Sequence, residues 1–441
     1  MEQRTHPGPA DGRGTRDQGR RALTVVIALV GVAVAGFAQS PTTAFTNASL
    51  ISGAGARGFE PQPNSTIIVR DGRIVSAGPG MTPPAGARVV DLAGGFVVPG
   101  FISAHAHVSD VHGLNPRAYT DENTRRQLGV YARYGVTSVF SLGGEQAPAF
   151  ALRDAQSVPT LDRARLFVSG DVIVGKTPED ARAAVARVAA QKPDFIKIRV
   201  DDNLGTTAKM APEVYRAIID EAHARKLKVA AHIFYLADVK GLLDAGVDII
   251  AHSVRDAEFD AGTLDRMKAR NVPYIPTLTR EVSAFAYETA PSFLSDPFLL
   301  KEADAAVVAQ LREPARQQAM GKSASAQRYK AGLAVAMKNL KRAADAGVLV
   351  AMGTDSGAFP ERFQGYFEHL EMQMMVEAGL TPAQVLRMST TDAARAMGRT
   401  DIGTLDPGRW ADFVVLERNP LQDISGTKTI RSVWVAGNAV R

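Results

Sequence analysis

Between about residues 100 and 400, short apolar runs alternate with segments in which apolar residues recur at helical spacing. The segments 178–190, 212–226 and 237–245 are examples that predict helices. Eight apolar runs predict strands: 101–107, 136–141, 165–169, 195–200, 228–233, 247–252, 273–277 and 348–355. Alternating strands and helices indicate a parallel sheet, and eight such units predict an α/β fold, the (β/α)8 or TIM barrel.

Shorter strands flank this region on both sides. They are 65–69, 73–77, 89–92, 95–98, 412–416 and 430–436. Asp71-Gly72 between the first two is a strong hairpin signal, and Gly437-Asn438 predicts a turn into a last short strand. We therefore predict that residues 39–98 and 402–441 form one composite β-sandwich, and that the barrel of residues 99–401 is inserted between its two parts.

The connection between the seventh and eighth predicted strands is unusually long. It spans 278–347 and is rich in alanine and polar residues, with some aromatic residues. Connections that follow a barrel strand leave from the face where active sites lie, and a long one is often functional. We expect this insertion to form a lid over the barrel.

The N-terminus differs in composition from the rest of the chain. Residues 1–21 are polar and end in Arg20-Arg21, and the apolar run 22–38 closes on the small residues Gly36 and Ala38. A basic segment, an apolar run and a small-residue exit predict a signal peptide over 1–38, and hence export to the periplasm or the medium. A permanent N-terminal membrane anchor is the alternative.

Composition narrows the chemistry. Apolar residues make up 45% of the chain and charged residues 22%, as in soluble globular enzymes. The net charge of +5, from 51 basic and 46 acidic residues, is too small to indicate nucleic-acid binding. The chain has no cysteine, so disulfides and thiolate ligands are excluded, and a metal would need histidine, carboxylate or a less usual ligand.

Ionisable residues stand at the ends of the predicted barrel strands, where TIM-barrel chemistry takes place. His105 and His107 are two apart on strand one, so both imidazoles point to the same side. A buried pair of this kind favours a metal site over a hydrogen-bonded core. Lys197 lies in an apolar strand, where an ammonium must be paired, neutral or modified unless it reaches solvent at the strand end. One such modification is a carbamate formed with CO₂, an anionic ligand that can bridge two metals.

Three further candidates end the later strands. His232 ends strand five and His252 ends strand six, and either alone could be a core residue, but together they form a second imidazole pair. Asp355 ends strand eight in Gly353-Thr354-Asp355, where it is either a helix cap or a carboxylate directed at a metal-bound water.

These residues, in this order, resemble the amidohydrolase superfamily, in particular its imidazolonepropionase and prolidase-like branch. The resemblance rests on Pro99-Gly100-Phe101-Ile102-Ser103-Ala104-His105-Ala106-His107, on Lys197, His232, His252 and Gly353-Thr354-Asp355, and on the C-terminal segment 403–412. It extends over the chain after the predicted signal peptide. One departure is Ser103, because the family often has an acidic residue there that supports the ligands.

The resemblance implies two divalent metal ions, for which zinc is the expected identity. One ion would be held by His105, His107 and Asp355 and the other by His232 and His252, with carbamylated Lys197 bridging them. Asp355 is expected to act as general base and then general acid in hydrolysing a C–N amide or peptide-like bond of a small substrate, such as a dipeptide or N-acyl amino acid.

Three more residues are candidates for substrate binding. Arg199 and Arg255 could bind a substrate carboxylate, or could be solvated surface cations. Tyr235, three residues after His232, could donate a hydrogen bond on the carbonyl side. Two rival functions stay open: a non-hydrolytic lyase or isomerase on the same site, and a metal-free binding scaffold. The sequence indicates no oligomeric state.

Overall fold

In the computed structural model, residues 41–55 and 57–441 are described. The predicted signal peptide, residues 1–38, lies outside this range. Within the described ranges, no helix combines the length and the apolar character that crossing a membrane requires.

Strands and helices alternate along most of the chain. The strands are β1 (Thr43–Leu50), β2 (Gln62–Arg70), β3 (Arg73–Pro79), β4 (Arg88–Asp91), β5 (Phe96–Pro99), β6 (Phe101–Ala106), β7 (Val111–His112), β8 (Asn115–Pro116), β9 (Val136–Ser141), β10 (Arg165–Val168), β11 (Ile196–Arg199), β12 (Val229–His232), β13 (Ile249–Ala251), β14 (Tyr274–Ile275), β15 (Phe413–Leu416), β16 (Ile430–Val435) and β17 (Asn438–Ala439). The α-helices are α1 (Asp121–Arg133), α2 (Ala147–Asp154), α3 (Pro178–Ala190), α4 (Pro212–Ala224), α5 (Leu236–Ala245), α6 (Ala261–Ala269), α7 (Leu278–Ser283), α8 (Pro297–Leu300), α9 (Ala305–Leu311), α10 (Pro314–Gly321), α11 (Ala324–Asp345), α12 (Tyr366–Glu377), α13 (Pro382–Met388) and α14 (Thr391–Ala396). Short 3-10 helices cover Ala286–Glu288, Ser292–Ser295 and Ile424–Lys428.

The predicted barrel strands pair in parallel. β6, β9 and β10 form one sheet, and β11 to β14 form another in sequence order. The Asp194 amide donates to the Val168 carbonyl at 2.8 Å and joins the two sheets on one side. On the other side, the extended segment that contains Val350 bridges to Tyr274 of β14, and the Ala104 amide of β6 donates to Met352 at 2.8 Å. Backbone hydrogen bonds thus link the eight predicted strands in a closed cycle.

Strand eight differs in detail from its prediction. Residues 348–355 do not form a regular strand; Val350 makes one isolated bridge to Tyr274, and Ser356, just after the range, makes another to Ala106. At Gly353 the segment passes so close to strand one that a Cβ would lie 2.7 Å from the His105 amide nitrogen. Only glycine allows this approach, which brings Asp355 next to the histidines of strand one.

Both flanks contribute to one eight-stranded sheet. Its order is β17-β16-β15-β5-β1-β2-β3, and β4 also pairs with β1. The antiparallel β5–β15 pair joins the N-terminal part to the C-terminal part. The Phe45 ring of β1 packs against Trp434 of β16 with centroids 4.7 Å apart, although two strands separate them. The sheet therefore curves around a shared apolar core.

A buried ion pair connects this sheet to the barrel. The Arg165 guanidinium of β10 donates to both carboxylate oxygens of Asp412, at 2.6 and 3.2 Å. The side chains are 2% and 4% exposed. Trp410 covers the guanidinium, with its ring centroid 3.9 Å away. A two-pronged pair of this kind fixes both position and orientation.

The insertion at 278–347 is helical and consists of α7 to α11 with two 3-10 turns. Its first helix, α7, starts directly after Thr277, at the end of β14. Glu371 of α12 accepts hydrogen bonds from the Leu278 and Thr279 amides at 2.7 Å each, so the start of the insertion is held against the barrel.

Candidate metal centre

His105, His107 and Asp355 meet where the first barrel strand, β6, passes the eighth predicted strand, residues 348–355. The Asp355 Oδ1 atom lies 2.9 Å from His107 Nε2 and 3.3 Å from His105 Nε2. All three side chains are largely or wholly buried. The period of a strand places the two imidazoles on one side, as predicted, and the close approach at Gly353 brings the carboxylate to them.

Lys197, His252 and His232 continue this cluster across strands four to six. Lys197 Nζ lies 3.2 Å from His105 Nε2. The His252 ring is centred 4.3 Å from that of His105 and 4.1 Å from that of His232. Hence the structure brings all six predicted ligands together in one continuous cluster.

The backbone is strained around the cluster. The φ values are 87° for His252, 61° for Asp355 and 51° for Thr277. They lie in the left-handed region that residues other than glycine rarely adopt. Such residues cost about 1–3 kcal/mol each and concentrate at functional sites. The fold accepts this cost where strands six, seven and eight deliver side chains to the centre.

The orientation of His107 is fixed from behind. Its Nδ1 atom lies 3.0 Å from both the Gly143 carbonyl and Asp110 Oδ2, which leaves Nε2 facing Asp355. Burial opposes the charged imidazolium, but hydrogen bonds with Asp110 and Asp355 outweigh it and raise the pKa of His107 to about 10. The two carboxylates thus make this position attractive to a cation.

The other two histidines are held in the same way. His252 Nδ1 lies 2.8 Å from the Thr277 hydroxyl, so Nε2 is the nitrogen left for a ligand. His232 Nε2 lies 3.1 Å from Asp201 Oδ2, which leaves Nδ1. Burial lowers the pKa of His232 to about 4 and that of His252 well below its ordinary value. Both rings are therefore neutral at pH 7, the form that binds metals.

The Lys197 amine is less readily protonated than that of an ordinary lysine. Burial lowers the pKa of its amine to about 7, although Asp355, Glu145 and Asp201 favour the charged form. A neutral amine is the form that reacts with CO₂. Burial thus makes the neutral amine of Lys197 accessible near pH 7.

The donor set fits a metal ion by its chemistry and spacing. Ligand atoms of His105, His252 and Asp355 all lie within 4.8 Å of one another. Two atoms bound to one tetrahedral zinc at about 2.0–2.1 Å are about 3.3 Å apart, close to the 2.9 and 3.3 Å that separate Asp355 Oδ1 from the two histidine nitrogens. The His105 Nδ1 atom is buried without a partner among the described residues.

The departure at Ser103 has a structural counterpart. The Ser103 hydroxyl donates to Glu368 Oε1 at 2.9 Å, and the Thr354 and Ser356 hydroxyls donate to the same oxygen at 2.7 and 2.8 Å. Burial raises the pKa of this carboxyl. An acidic side chain from α12 therefore ties strand one to strand eight on either side of Asp355, in place of one at position 103.

Two other residues that the sequence analysis missed support the centre. Arg362 donates to Asp355 Oδ2 and, at 3.0 Å, to the Ser283 hydroxyl. The Glu145 carboxylate accepts hydrogen bonds at 2.7–3.0 Å from three backbone amides that follow β9 and β10, those of Gly143, Ser169 and Gly170. Glu145 lies in the loop that follows β9 and could have been suspected, whereas Arg362 lies in a loop with no such signal.

The predicted substrate-binding residues have different surroundings. Arg199 is half-buried and lines a cavity of about 340 Å³ with Asp201. The Tyr235 hydroxyl donates to Asp202 at 2.9 Å. Arg255 departs from the expectation of an accessible cation, because its side chain is wholly buried and donates to Glu281 and to the Ile233 carbonyl.

Comparison with known proteins agrees with this arrangement. The chain is 28% identical over 377 residues to an uncharacterised protein of Mycobacterium tuberculosis, covering 82% of this chain and 88% of that one. It is 25% identical over 432 residues to an imidazolonepropionase of Deinococcus deserti, covering 88% and 95%. A solved structure from Bifidobacterium longum named as a prolidase superposes with a TM-score of 0.74 at 26% identity, covering 91% and 95%.

These similarities imply a TIM-barrel fold with mixed α/β content, in agreement with the closed cycle of strands. The sequence model of the amidohydrolase family matches residues 96–440, most of the chain. The match begins at β5 and ends within the last residues, so it includes all six clustered residues. The chain therefore belongs to the amidohydrolase family.

Proposed function

We propose that this protein holds two divalent metal ions and hydrolyses an amide or peptide-like C–N bond of a small substrate. As an amidohydrolase it is a hydrolase of C–N bonds. The observation that carries the proposal is the buried cluster of four imidazoles, one lysine and one carboxylate at the ends of five barrel strands. An apolar core would not gather so many ionisable groups without a ligand for them.

The residues would divide between the two ions as the family resemblance implies. His105, His107 and Asp355 would hold one ion, His232 and His252 the other, and Lys197, as a carbamate, would lie between them. Carboxylate and carbamate together carry two negative charges against two dications, so the modified lysine reduces the excess charge. When bound, such ions lower the pKa of water and polarise a carbonyl group.

Asp355 is the residue that would move the proton. Its buried carboxylate is kept ionised because, although burial favours the neutral form, Arg362 and the two histidines lower its pKa well below the ordinary value. Its Oδ1 atom faces the cluster and its Oδ2 atom accepts from Arg362. It would take the proton from the attacking water and deliver it to the leaving nitrogen.

The substrate class is suggested by the relatives. Two of them, an imidazolonepropionase and a protein named as a prolidase, favour a small substrate with a cleavable C–N bond. We propose a dipeptide or an N-acyl amino acid, and zinc as the metal. Export remains a prediction from the sequence, because the predicted signal peptide lies outside the described residues.

The test combines metal content with a substrate screen. Protein purified gently and reconstituted with zinc should contain about two metal ions per chain and hydrolyse members of a dipeptide and N-acyl amino acid library. His252→Ala should lose metal and activity. His223→Ala is the matched control, since His223 is a partly exposed surface histidine paired with Asp248. Full activity without bound metal, or in His252→Ala, would overturn the proposal.

A further inference from the structure

Arg280 lies in α7, the first helix of the insertion, next to the candidate metal centre. Its amide donates to the Thr277 carbonyl at 3.1 Å, and the Thr277 hydroxyl contacts His252. At the other end of α7, the Ser283 hydroxyl donates to the Arg280 carbonyl at 2.7 Å and accepts from Arg362. Arg280 is therefore placed between the side of the centre that holds His252 and the side that holds Asp355.

The guanidinium of Arg280 is buried and incompletely bonded. The residue is 8% exposed. Its Nη1 atom donates to Glu281 at 3.2 Å, which is long for a charged pair, and its Nη2 atom donates to the neutral Tyr329 hydroxyl at 3.3 Å. Its Nε atom is buried with no partner among the described residues. A buried donor without an acceptor is costly unless a ligand supplies one.

The charged groups in contact with one another around Arg280 carry an excess of positive charge. Three guanidinium groups, those of Arg255, Arg280 and Arg362, contact two carboxylates, those of Glu281 and Asp355. Arg255 already takes the closer contact to Glu281, and Arg362 takes Asp355. Two bound dications would add to this excess of positive charge, and an anionic ligand would reduce it.

We propose that Arg280 binds a carboxylate of the substrate, and that the enzyme is selective for anionic substrates. This inference rests on the proposed function. Ser283 links the Arg280 carbonyl to Arg362, which donates to Asp355, so Arg280 lies next to the cluster. The carboxylate would accept from the free Nε and a neighbouring Nη, the two-pronged geometry that arginine offers. A dipeptide or an N-acyl amino acid carries such a group at one end.

The test uses a probe with no C–N bond, so that binding is measured apart from turnover. Isothermal titration calorimetry of the zinc-loaded protein should show binding of 3-phenylpropionate and much weaker binding of the neutral 3-phenylpropan-1-ol. Arg280→Met should weaken binding of the carboxylate about 10- to 100-fold, the value of a hydrogen bond to a charged group, and leave the alcohol unchanged. Arg280→Lys should recover part of the affinity. Arg342→Met, at a partly exposed arginine of α11, is the matched control.

The outcomes separate the two proposals. Equal binding of acid and alcohol by the wild-type protein, or unchanged binding of the acid by Arg280→Met, would overturn the role of Arg280 even if the enzyme hydrolyses amides. A chain that hydrolyses no library member but binds the acid through Arg280 would overturn the proposed reaction alone. If circular dichroism shows that Arg280→Met does not fold, Arg280→Lys and the acid–alcohol comparison decide.

Discussion

Lys197 offers the sharpest test of the metal centre, because its two possible states respond differently to CO₂. As a carbamate it would bridge two metal ions, whereas as a protonated ammonium it would repel them. Burial lowers its pKa to about 7. At pH 7 about half of the side chain is then the neutral amine, against about one part in 3,000 for an ordinary lysine of pKa about 10.5. The fold therefore raises the reactive fraction about 10³-fold.

This shift predicts the pH dependence of carbamate formation. We expect metal-free protein given ¹³C-bicarbonate and zinc to gain a carbamate signal by NMR and about two metal ions per chain. At constant dissolved CO₂, the neutral fraction rises about 10-fold from pH 6 to pH 8 for a pKa of about 7, but about 100-fold for an unshifted lysine. The initial rate of carbamate formation should follow the smaller ratio.

Substitution completes the test. Lys197→Ala should lose the carbamate signal, about one metal ion and most of the activity, and short carboxylic acids should restore part of that activity. Lys228→Ala removes an exposed lysine at the start of the neighbouring strand and should change none of these. Two metal ions retained in Lys197→Ala, or a carbamate signal that persists in it, would refute the reasoning.

Three further predictions concern other parts of the molecule. Asp355→Asn should lower kcat by at least about 10²-fold with a smaller effect on KM, as loss of a general base does. Asp412→Asn should lower the free energy of unfolding by about 3–5 kcal/mol in urea titrations, because it leaves the buried Arg165 charge unpaired. Burial raises the pKa of Glu371 to about 7, so its carboxyl favours the folded state below pH 4.5, and this contribution is lost as the pH rises through 7. Glu371→Gln should flatten that pH dependence.

Each of these has a control within the chain. Asp345→Asn removes a carboxylate from the exposed pair with Lys341 and should change stability by no more than about 1 kcal/mol. It should also leave kcat and the pH dependence of unfolding unchanged. A near-normal kcat in Asp355→Asn would show that another group moves the proton. A pH slope that persists in Glu371→Gln would assign it to other groups, and Asp412→Asn no less stable than the control would mean that the Arg165 charge finds another partner.

The strands of the barrel could be predicted because buried parallel strands are continuous apolar runs. The second predicted strand, 136–141, coincides with β9, and the helix predicted over 178–190 coincides with α3. By contrast, β1 was not predicted, because its sequence TAFTNASL mixes small polar with apolar residues. It pairs with three other strands, and only that context makes it a strand. The two-layer sandwich of the flanks stays a prediction.

That the candidate ligands lie together could be predicted for a similar reason. Side chains at the ends of parallel strands converge in a barrel, so position along the chain is enough to place His232 next to His252. No such rule applies to Glu368 or Arg362, which reach the centre from a helix and a loop whose placement depends on packing. The two acidic residues three apart on α12, Glu368 and Glu371, were the one available sign, since that spacing puts both on one face.

The first helix of the insertion, α7, contacts residues of the candidate metal centre on both of its sides. Thr277, which precedes α7, holds His252, and Ser283, which ends it, bonds the arginine that holds Asp355. Glu371 binds the first two amides of the same helix. Moving α7 would break contacts to ligands of both proposed ions at once. An opening of the predicted lid that keeps the metal ions in place must therefore begin after Ser283, and Arg280 would stay at the centre whether the lid is open or closed.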